Sequence, residues 1–515
     1  MNTPPMNRKI IVNSGPSETR LALIENEELA EIHIERHCDR GIVGNIYLAK
    51  VKRVLPGMQA AFVDFGHDKA GFLYAGDVVD PEFTKRLADK TDFVAIDSLQ
   101  ESQAQITRLP IDKALREGQH ILIQVTKEAL GTKGARVNMF VSIPGRFLVL
   151  IPHFHHIGIS RRITDEPDRD RLRTAIESFK DPNIGLIVRT AAGGVDFDTL
   201  KNEYDFLKSA WERVNATQKT SKAPSLIYGE PELALRLTRD LFAADVSEIV
   251  VDDAKLFETM KHFLDHNVPG ASQKLQLFQK NKLLFDDYDI EMDIARALGR
   301  KVWLPSGGYL VIDQTEALTS FDVNTGKFVG RVSAQETILK TNLEAVKVIV
   351  SQLRLRNIGG IIVIDFIDME KESDREQVSN TLQEALKFDK ARTNVLAISE
   401  LGLVQMTRKR TSASLEHRLM DVCNLCEGRG RIMSLESDSY DLIRDIERHV
   451  LRTNQSKVTV KIRPDLRRFL ESSEKKLLEY LEMKQSLKVE FEDLPLDLSH
   501  IRGTAYEVLE TESNF

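Results

Sequence analysis

Between Lys9 and Ile34 apolar and polar residues alternate, broken only by the turn-forming run Asn13-Ser14-Gly15-Pro16. A period of two predicts two or three half-buried strands. Short β-like runs punctuated by glycine follow from Gly41 to about Arg146, among them Gly44–Val51, Gln59–Asp64, Gly71–Tyr74 and His120–Val125. Strands this short and regular predict a small barrel, with Pro81–Leu115 inserted as a helical or irregular loop. Past it the pattern predicts a strand at Phe147–Ile151, the histidine-rich loop His153-Phe154-His155-His156, and a charged helix near Asp168–Phe179. A strand at Gly185–Arg189 and a helix near Asp198–Asn215 come next. Ala216–Ser225 is polar and contains proline, which marks a linker, and helical periodicity then runs from Pro231 to Leu298.

An alternating α/β block spans Lys301 to about Arg418, with strands at Tyr309–Ile312 and Thr319–Val323. Ser333 followed by Glu336 is a capping box that opens a long amphipathic helix ending at Gly359-Gly360. Ile361–Ile364 is continuously apolar, the pattern of a strand buried on both faces. From Ser434 to Phe515 helices and short strands mix, and no internal repeat is visible.

Composition narrows the class. A chain of 515 residues with 42% apolar and 29% charged positions is a globular protein of several domains. Three cysteines exclude a disulfide framework and fit a reducing compartment. Met1–Lys9 lacks an apolar secretory core, and no apolar run approaches the roughly 20 residues of a membrane span. A cytoplasmic location is therefore expected. The net charge of −7, from 71 basic and 78 acidic residues, argues against nucleic-acid binding when taken globally, but charge can be segregated between faces.

The sharpest chemical feature is a pair of aspartates, each ending an apolar strand: Asp322 in Ser320-Phe321-Asp322-Val323-Asn324 and Asp365 after Ile361-Ile362-Val363-Ile364. A long helix between the strands allows them to pair in parallel with both carboxylates at one edge. With the Asn324 carbonyl they offer hard oxygen ligands for Mg²⁺ or Mn²⁺, which would polarise a phosphoryl oxygen and activate a water. Strand-ending aspartates also serve as caps, and Asp368 fits either an outer-shell or a capping role.

Cys423-x-x-Cys426-x-Gly428-x-Gly430 suits a zinc knuckle but supplies two ligands of the usual four. A redox pair, completion by a histidine such as His417, or a site shared by two chains remain open, and sharing satisfies the coordination count most simply. Phe62 and Phe72, near Lys52 and Lys69, could form an outward stacking platform for bases, although the pattern alone favours burial of both rings. Arg189-Thr190 before Ala191-Ala192-Gly193-Gly194 could hold a phosphate, or simply precede a turn. Arg408-Lys409-Arg410 could follow a phosphate backbone or form a solvated face. Asn324-Thr325-Gly326-Lys327-Phe328 is not a P-loop, and Gly131-Thr132-Lys133-Gly134 reads as a hairpin turn rather than a KH loop. His33, His37 and Cys38 read as structural, and His153, His155 and His156 as an exposed loop.

Longer motifs carry a resemblance. They include Pro16-Ser17-Glu18-Thr19-Arg20, Glu31-Ile32-His33-Ile34-Glu35-Arg36, and the run from Arg53 through Pro56-Gly57-Met58-Gln59-Ala60-Ala61-Phe62 to Asp64. Asp313-Gln314-Thr315-Glu316-Ala317, Leu353-Arg354-Leu355-Arg356-Asn357-Ile358-Gly359-Gly360 and Asp365-Phe366-Ile367-Asp368-Met369 continue it. Through these the whole chain resembles the ribonuclease E/G family.

The resemblance implies a multidomain α/β and α+β chain. An RNase-H-like domain (1–40 and 235–297) would carry an inserted S1-type OB-fold (41–139) and a 5′-sensor domain (140–234). A deoxyribonuclease-I-like catalytic domain (298–419), a zinc-link (420–433) and a small C-terminal domain (434–515) would follow. It implies a Mg²⁺-dependent endoribonuclease that cuts single-stranded A/U-rich RNA to 5′-monophosphate and 3′-hydroxyl ends, in rRNA precursor processing (the 16S 5′ end) and mRNA decay. Asp322, Asn324 and Asp365 then match the catalytic site, with Asp322 and Asp365 as the metal ligands. Phe62, Phe72, Lys133 and Arg161 match RNA contacts, reversing the burial preferred for the two phenylalanines, and Gly145, Val149, Arg189 and Thr190 match a 5′-phosphate pocket. Cys423 and Cys426 match a zinc site shared by a homodimer, with pairing of two dimers into a tetramer left open. The rival class is a non-catalytic RNA-binding scaffold. The loop His153–His156 and the extension Met1–Pro5 depart from the family pattern.

Overall fold

A computed structural model describes residues 7–79, 109–129, 134–152, 156–242, 245–267, 270–326, 334–387, 389–399, 401–410, 412–424, 426–453, 455–494 and 505–509. Lys133, Ser333, most of Pro81–Leu115 and His153–His155 lie outside the described residues. The chain is a mixed α/β multidomain protein that divides into two compact units, 1–415 and 416–515.

The alternating N-terminal segment forms three antiparallel strands, Arg8–Ser14, Glu18–Glu25 and Glu28–Arg36. Two strands from much later in the chain, Val246–Val251 and Leu275–Leu277, complete this five-stranded sheet, with Val246–Val251 parallel to Arg8–Ser14. This corrects the uninterrupted helical reading of Pro231–Leu298. Helices Leu233–Leu241 and Ala254–Asn267 are present, but the β-branched run Ile249-Val250-Val251 between them is buried as a strand.

The glycine-punctuated runs form a closed five-stranded barrel from Ile46–Leu55, Ala60–Asp64, Gly71–Tyr74, Arg136–Asn138 and His120–Lys127, sealed by pairing of the first with the last. Ser225–Tyr228 adds to Ile46–Leu55 from outside. The expected linker is therefore also corrected. The helix Phe197–Thr220 runs through Ala216–Thr220, and Ser225 begins a strand. A solvated helix end and a linker share the same polar composition, so composition alone could not separate them. That helix and Glu166–Phe179 share a core with a four-stranded sheet ordered Ile157–Ile159, Gly185–Val188, Leu148–Ile151, Ile143–Pro144.

The last sheet of the first unit is ordered Lys301–Trp303, Tyr309–Gln314, Leu318–Asn324, Gly360–Asp365, Leu403–Arg408, Thr393–Val395. Leu310, Ile312, Phe321, Val323, Ile362, Ile364, Val404 and Met406 share a core with residues of the helices Ala334–Leu355 and Glu372–Leu386. The opposite face carries Asp322, Asp365, Gln405 and Thr407, all exposed. Ile361 is 51% exposed on that face, so the strand Gly360–Asp365 alternates and is not buried on both sides as its apolar run predicts. An arginine clamp ties this sheet's crossover helix to the N-terminal one. Arg354 Nη1 donates to Glu25 Oε2 at 2.7 Å, and Nη2 donates to Glu31 Oε1 at 2.8 Å.

In the second unit the helix Leu435–Thr453 shares a core with the strands Lys457–Ile462 and Lys488–Asp493, which run parallel. Tyr506–Val508 pairs antiparallel with Lys457–Ile462. No helix among the described residues is long and apolar enough to cross a membrane.

Candidate active site

The helix Ala334–Leu355 is the crossover that makes two strands parallel. Its Asn342, Ala345, Val346, Ile349, Val350 and Leu353 recur on one buried stripe. The turn back uses Asn357 at φ 48° and Gly360 at φ 105°, the latter a left-handed backbone that favours glycine. The returning strand then pairs parallel with Leu318–Asn324 in a register that sets Asp322 beside Asp365. Adjacent strands lie about 4.8 Å apart, so the two carboxylates share one edge of the open face.

Asn324 lies two residues beyond Asp322 and therefore on the same face. Its Nδ2 donates to Asp322 Oδ2 at 2.9 Å, which orients the carboxylate and leaves the amide oxygen as an acceptor. Desolvation, then the charges of Asp322 and Asp368, push the Asp365 carboxyl above its ordinary pKa. The donor set is hard and anionic, two carboxylates plus an amide oxygen, and a divalent cation would relieve that like-charge repulsion. Among the described residues no group of three His, Cys, Asp or Glu converges as a metal cluster. A donor set of two carboxylates and one amide oxygen would suit an ion that keeps much of its water, as Mg²⁺ does.

One residue that sequence reading missed fixes this edge. Asn342 is fully buried on the crossover helix. Its Nδ2 donates to the Ile367 carbonyl at 2.8 Å, and its Oδ1 accepts from the Ile367 N–H at 3.1 Å. The turn carrying Asp365 and Asp368 is therefore anchored to the helix. The available signal was an asparagine on the apolar stripe of an amphipathic helix. Gly402 faces the same turn at φ 76°, and a Cβ there would sit 2.7 Å from the Phe366 carbonyl oxygen.

On the barrel, Phe62 and Phe72 pair across adjacent strands, centroids 5.4 Å apart, while Ala61, Val63 and Leu73 point into the barrel core. Both rings are half-buried on the outer face. Tyr74, unremarked in the sequence, joins them 4.6 Å from Phe72, and Arg136 lies over its ring. At Gly134 a Cβ would meet the Ala70 carbonyl oxygen at 1.9 Å, so the position takes only glycine.

In the four-stranded sheet, Arg189 Nη1 donates to the Gly145 carbonyl at 2.5 Å and to Asp240 Oδ1 at 2.8 Å. Thr190 Oγ1 is 2.8 Å from Ser160 Oγ. The Gly145 N–H donates to the Leu148 carbonyl, so both backbone groups of Gly145 are engaged within the fold. Glu203 accepts the next three amides, from Arg146, Phe147 and Leu148, at 2.5–2.8 Å. Val149 is buried, and Arg161 is exposed in the turn after Ile157–Ile159. In the second unit Cys423 is exposed and Cys426 half-buried, neither in a disulfide. Gly428 and Gly430, both at positive φ, shape the turn that follows them. A groove of about 1100 Å³ lined by Glu27, Tyr288, Asp289 and Trp303, among others, is lined by neither Asp322 nor Asp365.

A family model described as Ribonuclease E/G family matches residues 142–411, just over half of the chain. The chain belongs to the ribonuclease E/G family. A second model, RNase E/G thioredoxin-like domain, matches residues 422–503, from the cysteine knuckle into the C-terminal sheet. Ribonuclease G of Haemophilus influenzae is 44% identical over 449 residues, 87% of this chain and 89% of that protein. Ribonuclease G of Escherichia coli K12 is 45% identical over 443 residues, 86% of this chain and 88% of its own length. Ribonuclease E of Escherichia coli K12 is 36% identical over 483 residues, which are 93% of this chain but 44% of that longer protein.

Proposed function

We propose that this ribonuclease E/G family member is a single-strand-specific endoribonuclease of the ribonuclease G type whose cleaving edge is Asp322, Asn324 and Asp365. The observation that carries the reading is the parallel register that sets Asp322 beside Asp365 on an open sheet face. Asp322 and Asp365 would hold Mg²⁺ or Mn²⁺, and Asn324 would orient one carboxylate or the phosphate. When bound, such an ion polarises a phosphoryl oxygen and lowers the pKa of its water. The chain's own groups do the positioning. Asn324 fixes the Asp322 rotamer through its amide hydrogens, and Asn342 holds the Asp365 turn. Attack of water on phosphorus with rupture of the P–O3′ bond leaves a 5′-monophosphate and a 3′-hydroxyl.

The half-buried rings of Phe62 and Phe72, with Lys133 and Arg161, would hold the single strand, favouring A/U-rich segments. Arg189 and Thr190, beside Gly145 and Val149, would sense a 5′-monophosphate that stimulates cleavage. The hydrogen bonds to Gly145 and Asp240 that orient the Arg189 guanidinium both run from Nη1, which supports this role. Cys423 and Cys426 would share one Zn²⁺ with a second chain, making a homodimer, since two cysteines leave a four-ligand site half filled. Its cellular work would be rRNA precursor maturation and mRNA decay in the cytoplasm. The test is cleavage of a short single-stranded RNA with and without Mg²⁺, by the wild type and Asp322→Asn. Metal-dependent cleavage lost in the variant supports the reading, whereas wild-type turnover by Asp322→Asn refutes it. Zinc analysis is expected to give about half an ion per chain, and a full equivalent would contradict the shared site.

A further inference from the structure

The edge strand of the catalytic sheet carries an aromatic group that the proposed chemistry does not use. Trp303 is 63% exposed, an unusual position for so large an apolar ring. Its ring lies 5.6 Å from that of Tyr309 at 66°. Lys301 Nζ sits 4.1 Å from the Trp303 centroid and 3.5 Å from that of Tyr309. The cluster has a definite place relative to the carboxylates. Trp303 pairs directly with Tyr309, and Tyr309 pairs directly with Asn324. Directly opposed residues share a face, so Lys301, Trp303, Tyr309, Val311, Asp322 and Asn324 all belong to the open side of the sheet. Two strand spacings separate Trp303 from Asn324, about 10 Å, which about three nucleotides span at the stacked rise of ~3.4 Å.

We propose that Trp303, with Tyr309 and Lys301, forms a stacking subsite for one nucleobase of the RNA strand cut at the Asp322–Asp365 edge. This rests on the endoribonuclease reading above and extends it. An exposed indole with a cation against it is suited to that task. The ring offers a sequence-tolerant π-face, and the ammonium supplies positive charge beside a phosphate on the face that carries Asp322 and Asp365. The subsite would set where the strand enters or leaves the cleaving edge, so its loss should appear in KM and in cleavage-site choice more than in kcat.

The chain has two tryptophans, Trp211 and Trp303, so a Trp211→Phe variant reports on Trp303 alone. Titrating Trp211→Phe/Asp365→Asn with a short single-stranded RNA is expected to quench Trp303 emission with the saturation profile of RNA binding. In the wild-type background Trp303→Ala should raise KM roughly tenfold, within the range for loss of one stacked base, with kcat changed less than threefold. Trp303→Phe should recover most of the affinity, which separates stacking from a folding defect, and an abasic nucleotide at the contacted position should weaken the wild type but not Trp303→Ala. If the wild type cuts RNA while RNA binding leaves Trp303 emission unchanged and Trp303→Ala keeps its KM, the subsite is refuted and the endoribonuclease reading stands. If the wild type neither binds nor cuts RNA, that reading fails and the subsite falls with it.

Discussion

Replacing Asn342 with alanine isolates what holds the Asp322–Asp365 edge in place, because its side chain bonds the backbone of Ile367. Asn342 is fully buried and makes two hydrogen bonds to one residue, donating to the Ile367 carbonyl and accepting from the Ile367 N–H. Its removal leaves one backbone donor and one acceptor of the partly buried Ile367 without their partner, at about 1–3 kcal/mol each. The expected loss is therefore about 2–6 kcal/mol, part of it recovered by local displacement of the turn. That displacement is what reaches Asp365, two residues earlier, and a shift of about an ångström at a reacting group can cost on the order of 100-fold in rate. Asn342→Ala should thus lower kcat ten- to a hundredfold with little change in RNA affinity, and lower Tm by roughly 2–7 °C in a unit of this size. Asn342→Asp keeps an acceptor for the Ile367 N–H but presents a second acceptor to its carbonyl, and should behave similarly. Hydrogen exchange at the Ile367 amide is the direct readout. Wild-type kcat together with unchanged protection of that amide in Asn342→Ala would refute the anchoring role.

Three further outcomes follow from the geometry. Arg354→Met leaves Glu25 and Glu31 without their shared partner in partly dry surroundings and should cost about 3–5 kcal/mol in chemical denaturation. Burial pulls both carboxyls upward, yet hydrogen bonds from Arg354 to Glu25 and from His33 to Glu31, with nearby cations, hold both below the ordinary range. Their contribution to stability is present above the ordinary glutamate pKa and is lost as pH falls through the depressed values, so Arg354→Met should flatten the acid limb of the stability profile. Asp365 has the opposite sign, since its raised proton affinity makes the folded state relatively less stable once pH rises through the raised value. In chelator near neutral pH, Asp365→Asn should therefore be slightly more stable than the wild type, and an equal or lower Tm would contradict this. Arg189→Ala should abolish the preference for 5′-monophosphorylated over 5′-hydroxyl RNA in competition cleavage, while cleavage of 5′-hydroxyl RNA stays near wild type.

The juxtaposition of Asp322 and Asp365 was legible because two apolar strands joined by a long amphipathic helix have few ways to pair, and parallel neighbours place their ends together. The barrel was legible from short strands set off by glycine. What escaped reading depended on tertiary context. Val246–Val251 joins a sheet whose other long strands lie more than 200 residues earlier, so its own neighbourhood looked helical. Ile361 belongs to a β-branched run that looks two-sided, yet every second residue faces solvent. Asn342 is a single polar residue whose meaning comes from a backbone 25 positions away. Lys301, Trp303 and Tyr309 become a cluster only once the hairpin register is known.

The central claim is that the Asp322–Asp365 edge breaks phosphodiester bonds, and the most direct measurement pairs binding with product-end analysis. A short 5′-monophosphorylated single-stranded RNA is incubated with Mg²⁺ and either the wild type or Asp365→Asn, with affinity measured on the same preparations. The expected result is cleavage by the wild type to 5′-monophosphate and 3′-hydroxyl ends, with cleavage reduced at least a thousandfold (on the order of 4 kcal/mol in barrier) in Asp365→Asn while affinity is retained. Undiminished cleavage by Asp365→Asn, or wild-type products ending in a 2′,3′-cyclic phosphate, would contradict the claim.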